Sequence, residues 1–404
     1  MYKILKIAPT PFFADRGCHV RILEESRVLQ ARGHKIRVCT YHIGRDLPDV
    51  KTERIIDIPW YKKLDAGPSW HKYYLDILLA LKSLWTAMKD RPDVIHAHLH
   101  EGVFVGYFIS RILGVPLLFD LQGSLVGEMM AHEFISDRGV FFRFNRFLER
   151  VTNGLADVIM ASSVGAANFL KSQPSINGKK IHVIPEGVDC RLYDNVERID
   201  ELRQEIGIPK TSIVVVYLGL LYHYQGIDSL LEVVPTIISQ VHDVHFLVIG
   251  FPNAEYYKNI AMERGLADWM SFVGRVDYAE LPRYLALGDV AITPKDSETE
   301  ANSKIYNFMA AGLPVVAYDT PTNRQILGDL GVYASLRDKK DLARVLVDLV
   351  KDKTRMKDLG RQVKKRAAEE FSWDAVGLRI ERIYDSLTGR GSARGTHQQT
   401  RSRV

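Results

Sequence analysis

The stretch Asn302-Ser303-Lys304-Ile305-Tyr306-Asn307-Phe308-Met309-Ala310-Ala311-Gly312-Leu313-Pro314 offers the most specific chemistry in this sequence. Asn302 or Ser303 can cap a helix, Gly312 can stop it, and Pro314 opens a buried strand. A helix start presents free backbone N–H groups and the positive end of a dipole, which suits an anion. Lys304 opposes that dipole in an isolated helix but fits if an anion docks there; the alternative is a solvent-facing lysine. A second group is His96, His98 and His100, followed by Asp120 and Gln122. Alternating histidines share one face of a strand, as metal ligands do. The segment leaves its strand by Leu99, however, and no nearby carboxylate or histidine cluster completes a site, so no metal is expected. His98, at the strand's carboxyl end, then lines a cleft. Asp120 is the nearest carboxylate that can serve as base, or else a structural strand-end acid. Gln122 cannot be a base, but it can donate a hydrogen bond to a hydroxyl. In Asp15-Arg16-Gly17-Cys18-His19, Gly17 either lets backbone approach phosphates or makes a simple tight turn. Arg16 and Arg21 are phosphate or acceptor contacts, or else ordinary surface arginines.

These groups need elements to hold them. Strand and helix patterns alternate along the chain, which argues for α/β architecture with parallel sheets. Strands are expected at Ile4–Ala8, Ile36–Thr40, Val94–Ala97, Leu117–Leu121, Val158–Ala161 and Ile181–Ile184. The rhythm pauses around Gly187–Pro209, then restarts with Ile213–Leu218, Val244–Ile249, Met270–Val273, Val290–Thr293 and Pro314–Ala317. Two such units imply two Rossmann-like domains facing across a cleft, with ligands at the carboxyl ends of strands. A last helix follows Phe371-Ser372-Trp373, and residues 389–404 lack apolar periodicity and read as a basic disordered tail.

Composition narrows the function classes. With 404 residues, 46% hydrophobic and 25% charged, the chain is an ordinary globular protein rather than a disordered or disulfide-built one. The net charge of +5 comes largely from Arg390, Arg394, Arg401 and Arg403, so a nucleic-acid partner is not expected. Cys18, Cys39 and Cys190 match no metal spacing and suit a reducing cytoplasm. No apolar run is long enough to span a bilayer, and the strand-like opening Met1–Pro9 leads us to expect no cleavable leader.

Several stretches, in order, resemble the retaining glycosyltransferases of family 4, which have the GT-B fold. Asn302–Val316 resembles that family's "EAMAxGxPVVA" segment, Arg32-Gly33-His34-Lys35-Ile36 its "xGHxV" turn, and Asp93–His98 its "DVIHxH". Ala156-Asp157-Val158-Ile159 with Ser162 resembles "ADxIxxxS", and Ile184–Asp189 resembles "IPNGVD". The resemblance implies an N-terminal acceptor-binding domain over 1–187 and a nucleotide-sugar-binding domain over 188–370. A helix at 371–388 would pack back on the first domain. The chain departs from the family at its charged positions. In Gly219-Leu220-Leu221-Tyr222-His223-Tyr224-Gln225-Gly226, Leu220 and Gln225 stand where "GRxxxxKG" has the Arg and Lys of a diphosphate clamp. Asn307 stands at the second motif glutamate, Thr299 at the first with Glu298 and Glu300 beside it, and Gln122 at the first-domain histidine.

The implied activity is metal-independent transfer, with retention, from a nucleoside diphosphate sugar to a glycan or a polyprenyl- or other lipid-linked acceptor, in cell-surface polysaccharide or glycolipid synthesis. No cofactor is expected. Lys304 would take over part of the lost clamp, Ser303 amides would hold phosphate, and Asn307, Glu298 or Glu300 would hold the ribose. Gly17, Gly219, Gln225, Arg275 and Val276 would line the donor site, and His98, Asp120 and Gln122 the reacting end. The alternatives are a GT-B protein that binds a nucleotide sugar or glycan without turnover, and a sugar-nucleotide epimerase. Finally, a helix over Phe141–Arg150 would put Arg143, Arg146 and Arg150 on one face and Phe141, Phe144 and Leu148 on another. It either seats a peripheral protein on an anionic membrane surface or buries its phenylalanines as a covering helix.

Overall fold

Runs such as Ile4-Leu5-Lys6-Ile7 and Ile213-Val214-Val215-Val216 are buried on both faces, as strands are when helices cover both sides of a parallel sheet. The computed structural model describes residues 1–14, 17–64, 69–131, 139–174, 176–196, 199–297 and 301–390. Among them the strands form two all-parallel sheets. The first contains β1 (Lys3–Ala8), β2 (Lys35–Thr40), β3 (Thr52–Arg54), β4 (Val94–His98), β5 (Leu117–Leu121), β6 (Val158–Ala161) and β7 (Ile181–Val183). Its spatial order is β3-β2-β1-β4-β5-β6-β7. The second contains β8 (Ile213–Leu218), β9 (Val244–Ile249), β10 (Met270–Gly274), β11 (Val290–Thr293), β12 (Val315–Tyr318) and β13 (Val332–Ala334), in the order β10-β9-β8-β11-β12-β13. Each order reverses once, at β1/β4 and at β8/β11, and the carboxyl ends beside such a reversal are where this architecture binds ligands.

The connecting helices of the first sheet are α1 (Gly17–Ala31), α2 (Lys72–Lys89), α3 (Leu99–Leu113), α4 (Leu125–Ala131), α5 (Val140–Leu155) and α6 (Val164–Lys171). Those of the second are α7 (Asp200–Glu205), α8 (Ile227–Ile238), α9 (Ala254–Glu263), α10 (Leu281–Leu285), α11 (Lys304–Ala310), α12 (Pro321–Leu327), α13 (Lys339–Lys351) and α14 (Lys353–Glu370). Among the described residues the chain divides into two compact units, one of 1–187 with Ala301 and 373–390, the other of 188–297 with 302–372. The first unit therefore recovers the last helix, α15 (Trp373–Thr388), which lies on α1. A Cβ on Gly377 would come within 2.7 Å of Val28 Cγ2, so only glycine permits that approach. Arg32 Nε donates to Glu381 Oε2 at 2.9 Å, and Val376, Ile380 and Tyr384 share a core with Tyr2, Ile4 and Leu118.

Strands β3 and β13 and helix α2 are additions to what the sequence pattern predicts. Helix α3 starts at Leu99, directly after the β4 residue His98.

Candidate active site

In the second unit, β8 ends at Leu218 and the chain turns through Gly219, whose φ of +150° favours glycine. A Cβ at Gly219 would lie 2.7 Å from Lys304 Nζ, so the absent side chain makes the space the ammonium occupies. Lys304 Nζ donates to Gln225 Oε1 at 3.0 Å and sits 5.4 Å from the centroid of the Tyr217 ring. The lysine thus folds onto the 219–226 turn rather than standing free in solvent. Position 225 holds a neutral acceptor, so a cation from another part of the chain can approach it without repulsion.

The start of α11 differs from expectation. Ser303 has helical backbone angles and its side chain makes no capping hydrogen bond. Asn302 instead spends its amide on Thr293 Oγ1 and Asn323 Oδ1, each at 3.1 Å, and is buried. With seven residues, α11 has a weak dipole, so Lys304 carries most of the local positive charge. The Asn307 carbonyl accepts from the Tyr193 hydroxyl at 2.8 Å, which fixes the side chain. The Arg275 guanidinium lies 5.1 Å from the Phe251 ring centroid, and Val276 is half-buried beside it. Glu298, Thr299 and Glu300, like Asp15, Arg16, Arg394, Arg401 and Arg403, lie outside the described residues.

In the first unit, the expectation that no acidic cluster surrounds the β4 histidines is overturned. Glu25, His96, His98 and Asp120 offer ligand-type atoms all within 4.8 Å of one another, and all four residues are buried. The sequence hides this because Glu25 arrives from α1, far along the chain. Both carboxylates are already matched by cations. Lys6 Nζ lies 3.0 Å from Glu25 Oε2, and Arg21 reaches Glu25 Oε1 at 3.1 Å and Asp120 Oδ1 at 2.9 Å. Arg21 is 1% exposed, so it is no surface arginine. Two cations and two anions cancel in a space where an unpaired charge would be costly.

This pairing sets the protonation states. Burial alone would raise the Asp120 carboxyl, but the Arg21 charge and the His98 hydrogen bond hold it far below the usual carboxylate range. Burial lowers His98 and, more strongly, His96, so both are held neutral. His98 Nδ1 lies 2.9 Å from Asp120 Oδ2, which makes it the protonated nitrogen, and its Nε2 has no hydrogen-bond partner among the described residues. His96 Nδ1 meets the Tyr384 hydroxyl at 2.7 Å, tying α15 to this cluster. His98 and Asp120 are fully buried, so neither lines an open surface; of the three expected reacting-end groups, only Gln122 is half-exposed. His100 is also buried, against Asn153 at 3.2 Å. Gly17 is the first residue of α1, with nothing within 4 Å of where a Cβ would stand.

Helix α5 contradicts the covering-helix reading of its phenylalanines. Its buried positions are polar, namely Asn145, Glu149, Thr152 and Asn153, while Phe141, Phe144 and Phe147 are 67%, 53% and 60% exposed. Its neighbours behave alike. Tyr73, Ile77, Leu81, Trp85 and Met88 form an exposed stripe on α2, and Phe104, Phe108 and Ile112 one on α3, which packs between α2 and α5. The exposed charges among the described residues of these helices are basic, including Lys89, Arg111, Arg143, Arg146 and Arg150. The acids are withdrawn: Asp76 meets the Tyr41 hydroxyl, Glu101 pairs with Lys72, and Glu149 accepts from the Leu125 N–H. No described helix is long and apolar enough to cross a membrane.

Comparison with known proteins agrees with this fold. Residues 16–192 match the sequence profile "Glycosyltransferase Family 4", and residues 198–366 match "Glycosyl transferases group 1". A phosphatidyl-myo-inositol mannosyltransferase of Mycobacterium leprae is 25% identical, covering 96% of this chain and 98% of that protein. Among solved structures, sucrose-phosphate synthase from Thermosynechococcus elongatus superposes with a TM-score of 0.80 at 18% identity, over 96% of this chain and all of that one. Anabaena Alr3699/HepE in complex with UDP and glucose superposes with a TM-score of 0.74 at 17% identity, over 96% of this chain and 100% of that one.

Proposed function

The chain belongs to glycosyltransferase family 4 and has the GT-B fold, and from that premise we propose that it transfers a sugar, with retention, from a nucleoside diphosphate donor to a lipid-linked or glycan acceptor. The observation that carries this reading is Lys304 folded over Gly219 and against Gln225, at the strand-end turn where the family clamps its diphosphate. As the glycosidic bond breaks, about two negative charges gather on the departing diphosphate, and a preorganised ammonium lowers the barrier most when it meets charge that develops there. Lys304 supplies that charge without a metal, replacing the cations absent at Leu220 and Gln225. Asn307, held by Tyr193, takes a ribose hydroxyl in place of a glutamate, with Ser303, Arg275, Val276 and one of Glu298 or Glu300 completing the donor site.

At the reacting end, a front-face retaining mechanism lets the leaving phosphate oxygen receive the acceptor hydroxyl's proton. A neutral Gln122 is compatible with that chemistry because no side-chain base is needed. Gly17, at the head of α1, gives acceptor and phosphate room to approach.

The outward aromatic and basic faces of α2, α3 and α5 support a lipid-linked acceptor and a peripheral position at the cytoplasmic face of an anionic membrane. The Mycobacterium leprae relative, named for phosphatidyl-myo-inositol, agrees with that choice. The work of such an enzyme would fall in cell-surface polysaccharide or glycolipid assembly.

The test is a thermal-shift screen of nucleoside diphosphate sugars, followed by product analysis with the best donor. Stabilisation together with a glycosylated lipid product bears the proposal out. Stabilisation without transfer or hydrolysis would make this a non-catalytic nucleotide-sugar binder, and a donor returned as its epimer would make it an epimerase.

A further inference from the structure

Gln122 ends its amide on a carboxylate that can only accept. Its Nε2 lies 2.8 Å from Asp120 Oδ2, the same oxygen that His98 Nδ1 approaches at 2.9 Å and Arg21 Nε at 3.1 Å. Nε2 and His98 Nδ1 are 3.4 Å apart, two donors side by side converging on one acceptor. Were the amide turned round, its carbonyl oxygen would face an ionised carboxylate, and the repulsion would fall in a buried setting where it is poorly screened. Among the described residues the hydrogen bond this amide makes, to Asp120 Oδ2, runs through Nε2. The carbonyl oxygen Oε1 is consequently the arm directed away from the cluster.

We infer that the buried Arg21–Asp120 pair is a positioning device that locks Gln122 with its carbonyl outward, making position 122 a specificity-determining acceptor for a substrate hydroxyl. The sequence suggests a donor at this position; the carboxylate beneath it takes up one of the two Nε2 N–H groups and leaves the carbonyl as the outward acceptor. Arg21 acts through Asp120, keeping it ionised, and His98 acts by filling the neighbouring place on the same oxygen. The orientation stands on this geometry, while its meaning for a sugar hydroxyl rests on the glycosyl-transfer reading above.

Gln122→Glu in the full-length protein tests both parts. The new side chain can mimic the amide only when protonated, with its O–H donating to Asp120 and its C=O pointing outward. The charged and titratable groups of the surrounding cluster are Asp120 on β5, His96 and His98 on β4, Arg21 and Glu25 on α1, Lys6 on β1, Tyr384 on α15, and Glu186, which acts on Arg21. By carbon-13 NMR of labelled glutamate, the introduced carboxyl is expected to titrate at least one pH unit above the ordinary value of about 4.3. Its melting temperature should match wild type near that pH and fall behind as pH rises, because only the protonated form fits the folded state. A carboxyl titrating at or below about 4.3 would overturn the orientation.

With the best donor, kcat/KM of Gln122→Glu should be at least tenfold below wild type at pH 8 and recover towards acid pH, while Gln122→Met stays low throughout. A pH profile for Gln122→Glu that parallels wild type would overturn the specificity role. If wild type turns over no donor while the introduced carboxyl is still raised, the transfer reading fails and the amide orientation stands.

Discussion

Lys304 is bound to its place by what surrounds it, and each neighbour gives a separate handle on its role. Truncating it to alanine removes the ammonium but leaves the helix and the Gly219 turn intact, so Lys304→Ala should melt within a few degrees of wild type. Its turnover with the best donor should fall at least tenfold, equivalent to about 1.4 kcal/mol of lost transition-state stabilisation. Steady-state kinetics and thermal melts on the same preparation check this, and an unchanged kcat would remove Lys304 from the chemistry. Gly219→Ala attacks the same contact from the other side. The added Cβ would sit 2.7 Å from Nζ, on a backbone with φ of +150°, so the ammonium must move. We expect Gly219→Ala to lose turnover as Lys304→Ala does, with an additional drop in stability from the backbone strain. Full activity in Gly219→Ala would mean that the position of Nζ is not critical.

At the scale of helices, the three outward faces of α2, α3 and α5 act together or not at all. Replacing Arg143, Arg146 and Arg150 by glutamate should abolish co-sedimentation with vesicles containing phosphatidylglycerol, since each basic group near such a surface contributes about 1 kcal/mol. Replacing Phe141, Phe144 and Phe147 by serine should weaken binding at high salt, where charge is screened and the apolar term remains. Equal binding by wild type and both triple variants would leave these faces for a protein partner instead. The same faces explain what could be read from the sequence. Buried runs such as Leu117–Leu121 and Ile213–Leu218 are plain, because strands covered on both sides are continuously apolar. Helix α2 was hidden since Tyr73, Ile77, Leu81 and Trp85 point outward between inward Leu75 and Leu79, which blurs the helical period. Strands β3 (Thr-Glu-Arg) and β13 (Val-Tyr-Ala) are too short to show any period. At the site, Gly219, Lys304 and the strand-end trio of His98, Asp120 and Gln122 are legible by position. The burial of Arg21, Glu25 and Lys6 is not, because a charged residue on a helix or strand looks the same in sequence whether its partner is water or a distant carboxylate.

The whole molecule carries a cost that follows from burying so many neutral imidazoles. His34, His96 and His98 in the first unit and His245 in the second are all pushed down by burial, His245 to about 4. His96 also meets the Tyr384 hydroxyl, so α15 packs directly against a buried β4 imidazole. In the unfolded chain these groups titrate near 6.5. Below that pH the unfolded state binds protons that the folded state refuses, so stability is full above about 6.5 and falls as pH drops towards each folded value. A fully buried histidine removes up to about 1.4 kcal/mol per pH unit in this window. Asp120 does not contribute there: its folded value is depressed, so its stabilisation is lost only as pH falls below the ordinary carboxylate range of about 3.9. Urea unfolding followed by fluorescence at pH 7.5, 6.5, 5.5 and 4.5 should therefore show a steady loss between pH 6.5 and 4.5. His245→Gln should make the slope shallower, because one refused proton is removed without touching the cluster at Asp120. Equal stability at pH 7.5 and 5.5 would mean that these histidines take up protons in the folded state, and the charge-cancelled cluster around Arg21 would then have to be redrawn.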